Sequence, residues 1–205
     1  MNVLKKKKKA RKEKILKTAL ELFNERGFEE VKIRDIAARA ELAVGTLYNY
    51  FSSKDHLILS ILESKLEVEE IEVYFKNDSW IRTRDFASNL ISLLEKYYDV
   101  ISEYDKDILI TLFSIIFSSK SYTDQAKKMD YDMIEKVQKI VIKAQKRGII
   151  LKKVVTFDLT MVLYGIIFNS ILMYVYMDEY SDKQIRRSMR NQIKIVLSGN
   201  MKEGE

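Results

Sequence analysis

The chain has 205 residues, no cysteine, no proline, six glycines, and 36 Lys/Arg against 30 Asp/Glu, a net charge of +6. Without cysteine it has neither disulfides nor thiolate metal sites, and with so few helix breakers an all-α fold of about nine helices is expected. The charge is uneven: residues 1–54 hold 14 basic against 7 acidic side chains, and the remainder 22 against 23, so the first quarter is the part suited to a polyanion.

Residues 1–9 read as a basic arm. Lys5 to Lys9 alone could equally be a solubilising tail. The start, MNVLKKKKKARK, leads into a charged amphipathic helix and not an apolar signal core, so a cytoplasmic protein is expected. A first helix is predicted over about 10–26, with Ile15, Leu16, Ala19, Leu20, Leu22 and Phe23 on one face. Gly27 suits the left-handed position after a helix end, and Phe28 could fold back on Phe23 as in a Schellman motif.

Residues 32–51, KIRDIAARAELAVGTLYNYF, carry the most information. A short helix (33–40), a three-residue break and a second short helix (44–51) form the layout of a helix-turn-helix, whose second helix enters the DNA major groove. With 100° per residue and Leu47 placed in the core, Phe51 and Val44 share its side, while Gly45, Thr46 and Asn49 face the opposite way. Gly45 lets the backbone approach a duplex, Thr46 offers a methyl and a hydroxyl, and Asn49 can pair bidentately with adenine. Tyr48 and Tyr50 flank that face and can reach phosphates; ordinary packing of a short helix is their plain alternative. Arg34 is a second contact, and Lys54, at the start of the next helix, can hold a phosphate together with the free N–H groups there. Ser53 is a good N-cap for that helix. His56, the only histidine, has no second metal-ligating partner, and no metal site is expected.

Downstream helices are predicted over about 54–76, 80–103, 106–118, 123–147, 157–177 and 182–197, with a break at 77–79. Residues 159–177 carry no charge over 19 positions, close to a membrane span, yet include Thr160, Tyr164, Asn169, Ser170, Tyr174 and Tyr176. A helix squeezed between its own core and a symmetry mate accounts for this composition better, so no membrane is expected. Aromatics are frequent from the fifth to the eighth helix. Phe86, Phe113, Phe117, Tyr131, Tyr164 and Phe168, with Asn89 and Asn169 as polar anchors, could line a pocket for a small lipophilic ligand, although core packing explains any one of them. No phosphate-binding glycine loop, no nucleophile beside a base and no metal-spaced cluster is present, so neither an enzyme nor a bound cofactor is expected.

ILKTALELFNERGFEE, then IRDIAARA, then VGTLYNYF with SSKD, give the first 55 or so residues a resemblance to the tetracycline-repressor (TetR) family of transcription regulators. The resemblance implies a three-helix DNA-binding domain (10–53, motif 32–51), a linking fourth helix within a C-terminal helical domain (54–200), and a short tail (201–205). It also implies a homodimer paired through the helices near 157–177 and 182–197, a palindromic double-stranded DNA operator, and release by a small hydrophobic effector. The family's DNA contacts fall on Arg34, Gly45, Thr46, Tyr48, Asn49, Tyr50 and Lys54. Three positions depart from the family pattern. Lys32 stands where a capping Thr or Ser is usual, and could touch phosphate. Glu41 takes the left-handed glycine position, at a cost of about 1 kcal/mol. Ala43 removes a capping hydroxyl worth about 1 kcal/mol. A ligand-responsive repressor is the leading expectation. The alternative is an interaction protein held to a membrane by residues 159–177, with a DNA-binding head.

Overall fold

The computed structural model describes residues 3–66, 74–75, 77–82 and 85–202. Among them the chain forms nine helices: α1 (Val3–Arg26), α2 (Ile33–Arg39), α3 (Val44–Tyr48), α4 (Lys54–Leu66), α5 (Phe86–Ser102), α6 (Lys106–Ser118), α7 (Lys120–Lys146), α8 (Thr156–Tyr176) and α9 (Asp182–Ser198). The all-α expectation holds, and no strand occurs among the described residues. The predicted continuation of the fourth helix to Lys76 falls largely outside them.

Two compact units divide the chain: residues 1–65 with 104–126, and residues 66–103 with 127–205. α6 and the first turns of α7 are therefore grouped with the N-terminal helices, while the rest of α7 belongs to the second unit. Phe113 and Phe117 accordingly lie in the first unit, whereas Phe86, Asn89, Tyr131, Tyr164, Phe168 and Asn169 lie in the second.

In the first unit α1 buries Ile15, Leu16, Ala19, Leu22 and Phe23, against which Phe28, Val31, Ile36, Ala37, Leu47 and Phe51 are also buried. Leu20 is only half-buried, and Thr18, at the other edge of the apolar face, is buried. Gly27 ends α1 with φ +81°, and its N–H donates to Phe23 O at 2.8 Å, the single bond of the αL motif. Phe28 does fold back on Phe23, with ring centroids 5.1 Å apart, so the apolar contact is as predicted although the bonding is the simpler kind. Ser53 caps α4 by accepting the His56 N–H at 2.9 Å, and its Oγ also lies 2.9 Å from the Tyr122 hydroxyl.

In the second unit α8 packs on α5 and α9 and buries Leu159, Leu163, Ile166 and Ile167. The helix predicted from Trp80 begins six residues later. The Trp80 indole donates to Tyr74 O at 3.0 Å and stacks on Phe86, 6.2 Å between centroids. Arg147 donates to Asp78 O at 2.7 Å and Ile81 O at 2.9 Å, so this approach is held as a turn. α7 ends in a Schellman motif: Gly148 has φ +75°, Ile149 N–H donates to Ala144 O at 2.9 Å, and Gly148 N–H to Gln145 O at 3.0 Å. Ser181 and Gln184 form a capping box at α9. Arg186 joins α9 to α5 by donating to Ser102 Oγ at 3.1 Å and to Asp99, and within α9 it donates to Asp182 at 2.6 Å. Met201 pairs with Ile150 as an isolated antiparallel bridge, which fastens this part of the tail to the loop after α7.

Candidate nucleic-acid interface

α2 is short because its end is built from main-chain bonds. Leu42 N–H donates to Ala37 O at 2.8 Å and Glu41 N–H to Ala38 O at 3.1 Å, the paired bonds of a Schellman turn. That turn requires a left-handed residue, and Glu41 occupies it with φ 58°, the only positive φ outside glycine among the described residues. Its carboxylate accepts from Lys14 at 3.0 Å; both side chains are well exposed, so the pair offsets only part of the strain. At the front of α2, Asp35 accepts the Lys32 N–H at 2.9 Å; an ammonium has no lone pair with which to return the cap. Ala43 precedes α3 without a side-chain cap, as its identity requires.

α3 is held by Leu47 and Phe51, exposed by 0% and 1%. Val44, on their side by helical spacing, is nevertheless 40% exposed. It is the first residue of a helix of only five, a turn ahead of the part that reaches the core. The helix itself stops at Tyr48, and Asn49 caps it in helical geometry (φ −70°, ψ −16°), so the turn still aims Asn49 outward.

The remaining predicted contacts lie together on this segment. Gly45, Tyr48 and Asn49 are exposed, and Thr46 and Tyr50 are partly so. A Cβ built on Gly45 meets nothing within 4 Å, so the chain's own packing does not call for glycine there. Lys32 is exposed, and Arg34 is exposed with only a loose approach to Asp35, 3.9 Å from Nε to Oδ1. Lys54 differs. Its ammonium donates to Phe28 O at 2.7 Å and Glu29 O at 3.2 Å and lies 4.2 Å from the Phe28 ring centroid. Two of its three N–H donors are thus spent on holding the end of α1, and one remains for a phosphate. His56 accepts the Ser52 N–H at Nδ1 (3.2 Å) and sets its ring edge-on to Phe51, a structural position within the first unit.

The residues read as a ligand pocket differ in exposure. Phe117 and Tyr131 are 75% and 67% exposed, and Phe168 and Asn169 are also exposed, the Asn169 amide lying 3.6 Å from Met173 Sδ. Helical spacing alone could not say which aromatics face inward. Phe86 is fully buried, Asn89 donates to Trp80 O at 3.4 Å, and Phe113 is half-buried. Tyr164 stacks on Phe168 and hydrogen-bonds Asp130, a partly buried carboxylate that the sequence did not single out. Burial raises the Asp130 carboxyl above the usual carboxylate range and, together with the Asp130 charge, pushes the Tyr164 hydroxyl up as well.

Residues 15–61 match the family model described as bacterial regulatory proteins, tetR family. The chain is 36% identical over 104 residues to the HTH-type transcriptional regulator YvdT of Bacillus subtilis, half of each chain. It is 48% identical over 59 residues to the HTH-type transcriptional repressor KstR of Rhodococcus jostii, 29% of this chain and 28% of that one. The chain therefore spans half or less of the curated relatives it matches. In fold it resembles the transcriptional regulator FadR of Bacillus subtilis, solved in complex with stearoyl-CoA, at 18% identity and a TM-score of 0.68 over 91% of this chain and 97% of that one.

Proposed function

We propose that this chain, whose residues 15–61 belong to the tetR family of bacterial regulatory proteins, is a cytoplasmic transcriptional regulator acting as a homodimeric repressor on a palindromic operator. The observation that carries the reading is the outward set on α3 and its flanks. Thr46, Tyr48, Asn49, Tyr50 and Lys32 are at least partly exposed, within the first quarter of the chain, whose net positive charge is carried by residues 1–14. Thr46 and Asn49 read bases, and Lys32, Arg34, Tyr48, Tyr50 and the remaining donor of Lys54 hold phosphates.

The dimer reading is supported by apolar surface on α8 and α9. Phe157, Met161, Val162 and Tyr176 are 52%, 37%, 47% and 58% exposed, and Ile195 is 71% exposed. Phe157, Met161, Gly165, Phe168 and Tyr176 follow one side of α8 at helical spacing. A two-fold dimer presents its recognition helices roughly 34–36 Å apart, one turn of duplex. α8 is also long and apolar enough by composition to cross a membrane. We favour the dimer because its other side is already buried on α5 and α9, including the hydroxyl-bearing Thr160 and Ser170.

The effector is a small lipophilic molecule taken up in the second unit, which lowers operator affinity by about 5- to 150-fold. The FadR complex makes a long-chain acyl thioester a sensible first probe. Titrating stearoyl-CoA, free stearate and neutral lipophiles into a protein–operator complex tests this part of the reading. Release by one class supports it, and unchanged affinity with every class rejects it. Operator binding itself stands or falls separately.

A further inference from the structure

α1 begins well before the domain it belongs to. Residues 6–14 are exposed throughout, and Ile15 is the first buried side chain among those described on the helix. At 1.5 Å per residue this is a solvated helical extension of about 13 Å. It carries Lys6, Lys7, Lys8, Lys9, Arg11, Lys12 and Lys14 against a single acid, Glu13.

Such a helix does not support itself. Isolated helices shorter than about 12–15 residues are marginal in water. Each pair of like charges three or four residues apart destabilises it further. The lysines also crowd the positive end of the helix dipole, and the first turn holds no acidic residue. Opposing this are two exposed ion pairs, Lys9–Glu13 at 3.8 Å and Lys14–Glu41 at 3.0 Å. The second fixes where the extension departs. Lys14 is joined to the turn that leads into α3, and Arg11 and Lys7, three and seven residues earlier, continue along the same side of the helix.

We propose that residues 3–14 are a second phosphate-binding element, which lies along the duplex beside the groove entered by α3 and is held helical by that contact. This rests on the DNA-binding reading above. A row of phosphates supplies what the extension lacks, countercharge at the spacing of its lysines. A lipid surface offers phosphate too, but a membrane-surface helix needs an apolar face, and between Lys5 and Lys14 the only apolar residue is Ala10.

The test is the full chain with Lys6→Gln, Lys7→Gln, Lys8→Gln and Lys9→Gln combined; glutamine keeps similar helix propensity and removes the charge. Binding to a long mixed-sequence duplex is measured across a salt series, and far-UV circular dichroism is recorded with and without duplex. The expected result is a salt slope shallower by about 2–4 in the variant. Duplex should also increase the helix content of the wild type, and the variant should lose that increase. A slope within about half a unit of wild type overturns the proposal, as does wild-type helix content that duplex leaves unchanged. Lysine-dependent binding to anionic phospholipid vesicles with an unaltered DNA slope overturns it in favour of a membrane site. Failure of the wild type to bind any duplex rejects the DNA-binding reading as well, whereas binding with an unaltered slope rejects this element alone.

Discussion

At Gly45 the folded chain gives no reason for a glycine. Its φ is not in the left-handed region, and a Cβ there meets nothing within 4 Å. Glycine inside a helix costs about 0.5–1 kcal/mol relative to alanine, and the proposed close approach of a duplex to this backbone would account for it. Gly45→Ala should therefore raise the stability of the protein by about 0.5–1 kcal/mol in a thermal melt while weakening duplex binding tenfold or more. Unchanged DNA affinity would remove the close-approach argument. Glu41 is the opposite case: its left-handed backbone was legible, because the helix-turn-helix pattern leaves only one place for the turn. Lys54 was legible only in part. Sequence put it at the start of a helix, but its bonds to Phe28 and Glu29 carbonyls depend on how α1 ends across 26 residues of chain. Val44, expected on the core side, is exposed, because helical spacing says which direction a residue faces and not how far the core extends.

At the scale of elements, α2 and α3 were readable from apolar period and the break between them, although neither Lys32 nor Ala43 supplies a side-chain cap, and the interiors of α5 to α9 were readable from apolar period too. What sequence could not supply was grouping. α6 reads as part of a C-terminal domain, yet it belongs with the N-terminal helices, and Tyr122 at the start of α7 meets the Ser53 N-cap of α4. Contacts separated by 69 residues leave no local pattern. The same holds for Asp130 on α7, which meets Tyr164 of α8. Burial holds the Asp130 carboxyl above its ordinary range, so folding is favoured while it is protonated and that advantage is lost as pH rises through its folded value. Asp130→Asn keeps an acceptor for Tyr164 and removes the loss. The variant should melt slightly higher than wild type at neutral pH, by less than about 1 kcal/mol because water still reaches the group. The difference should vanish in acid, and a variant less stable at neutral pH would contradict this account of the pair.

For the whole molecule, the reading requires two copies. The exposed apolar side of α8, with Ile195 of α9, is surface that a lone copy leaves in water. Met161→Glu with Ile195→Glu should shift the protein to a monomer in sedimentation and weaken operator binding by more than tenfold, since one recognition helix then acts without its mate. Persistence of the dimer would place the interface elsewhere.

The central claim is that α3 reads DNA, and selection of bound sequences from a random duplex library, followed by sequencing, tests it with no operator sequence assumed. The wild type should enrich a near-palindrome with half-sites about one helical turn apart, and Asn49→Ala should enrich the same sequence with one position per half-site relaxed. No enrichment by the wild type, or an identical motif from Asn49→Ala, would contradict it.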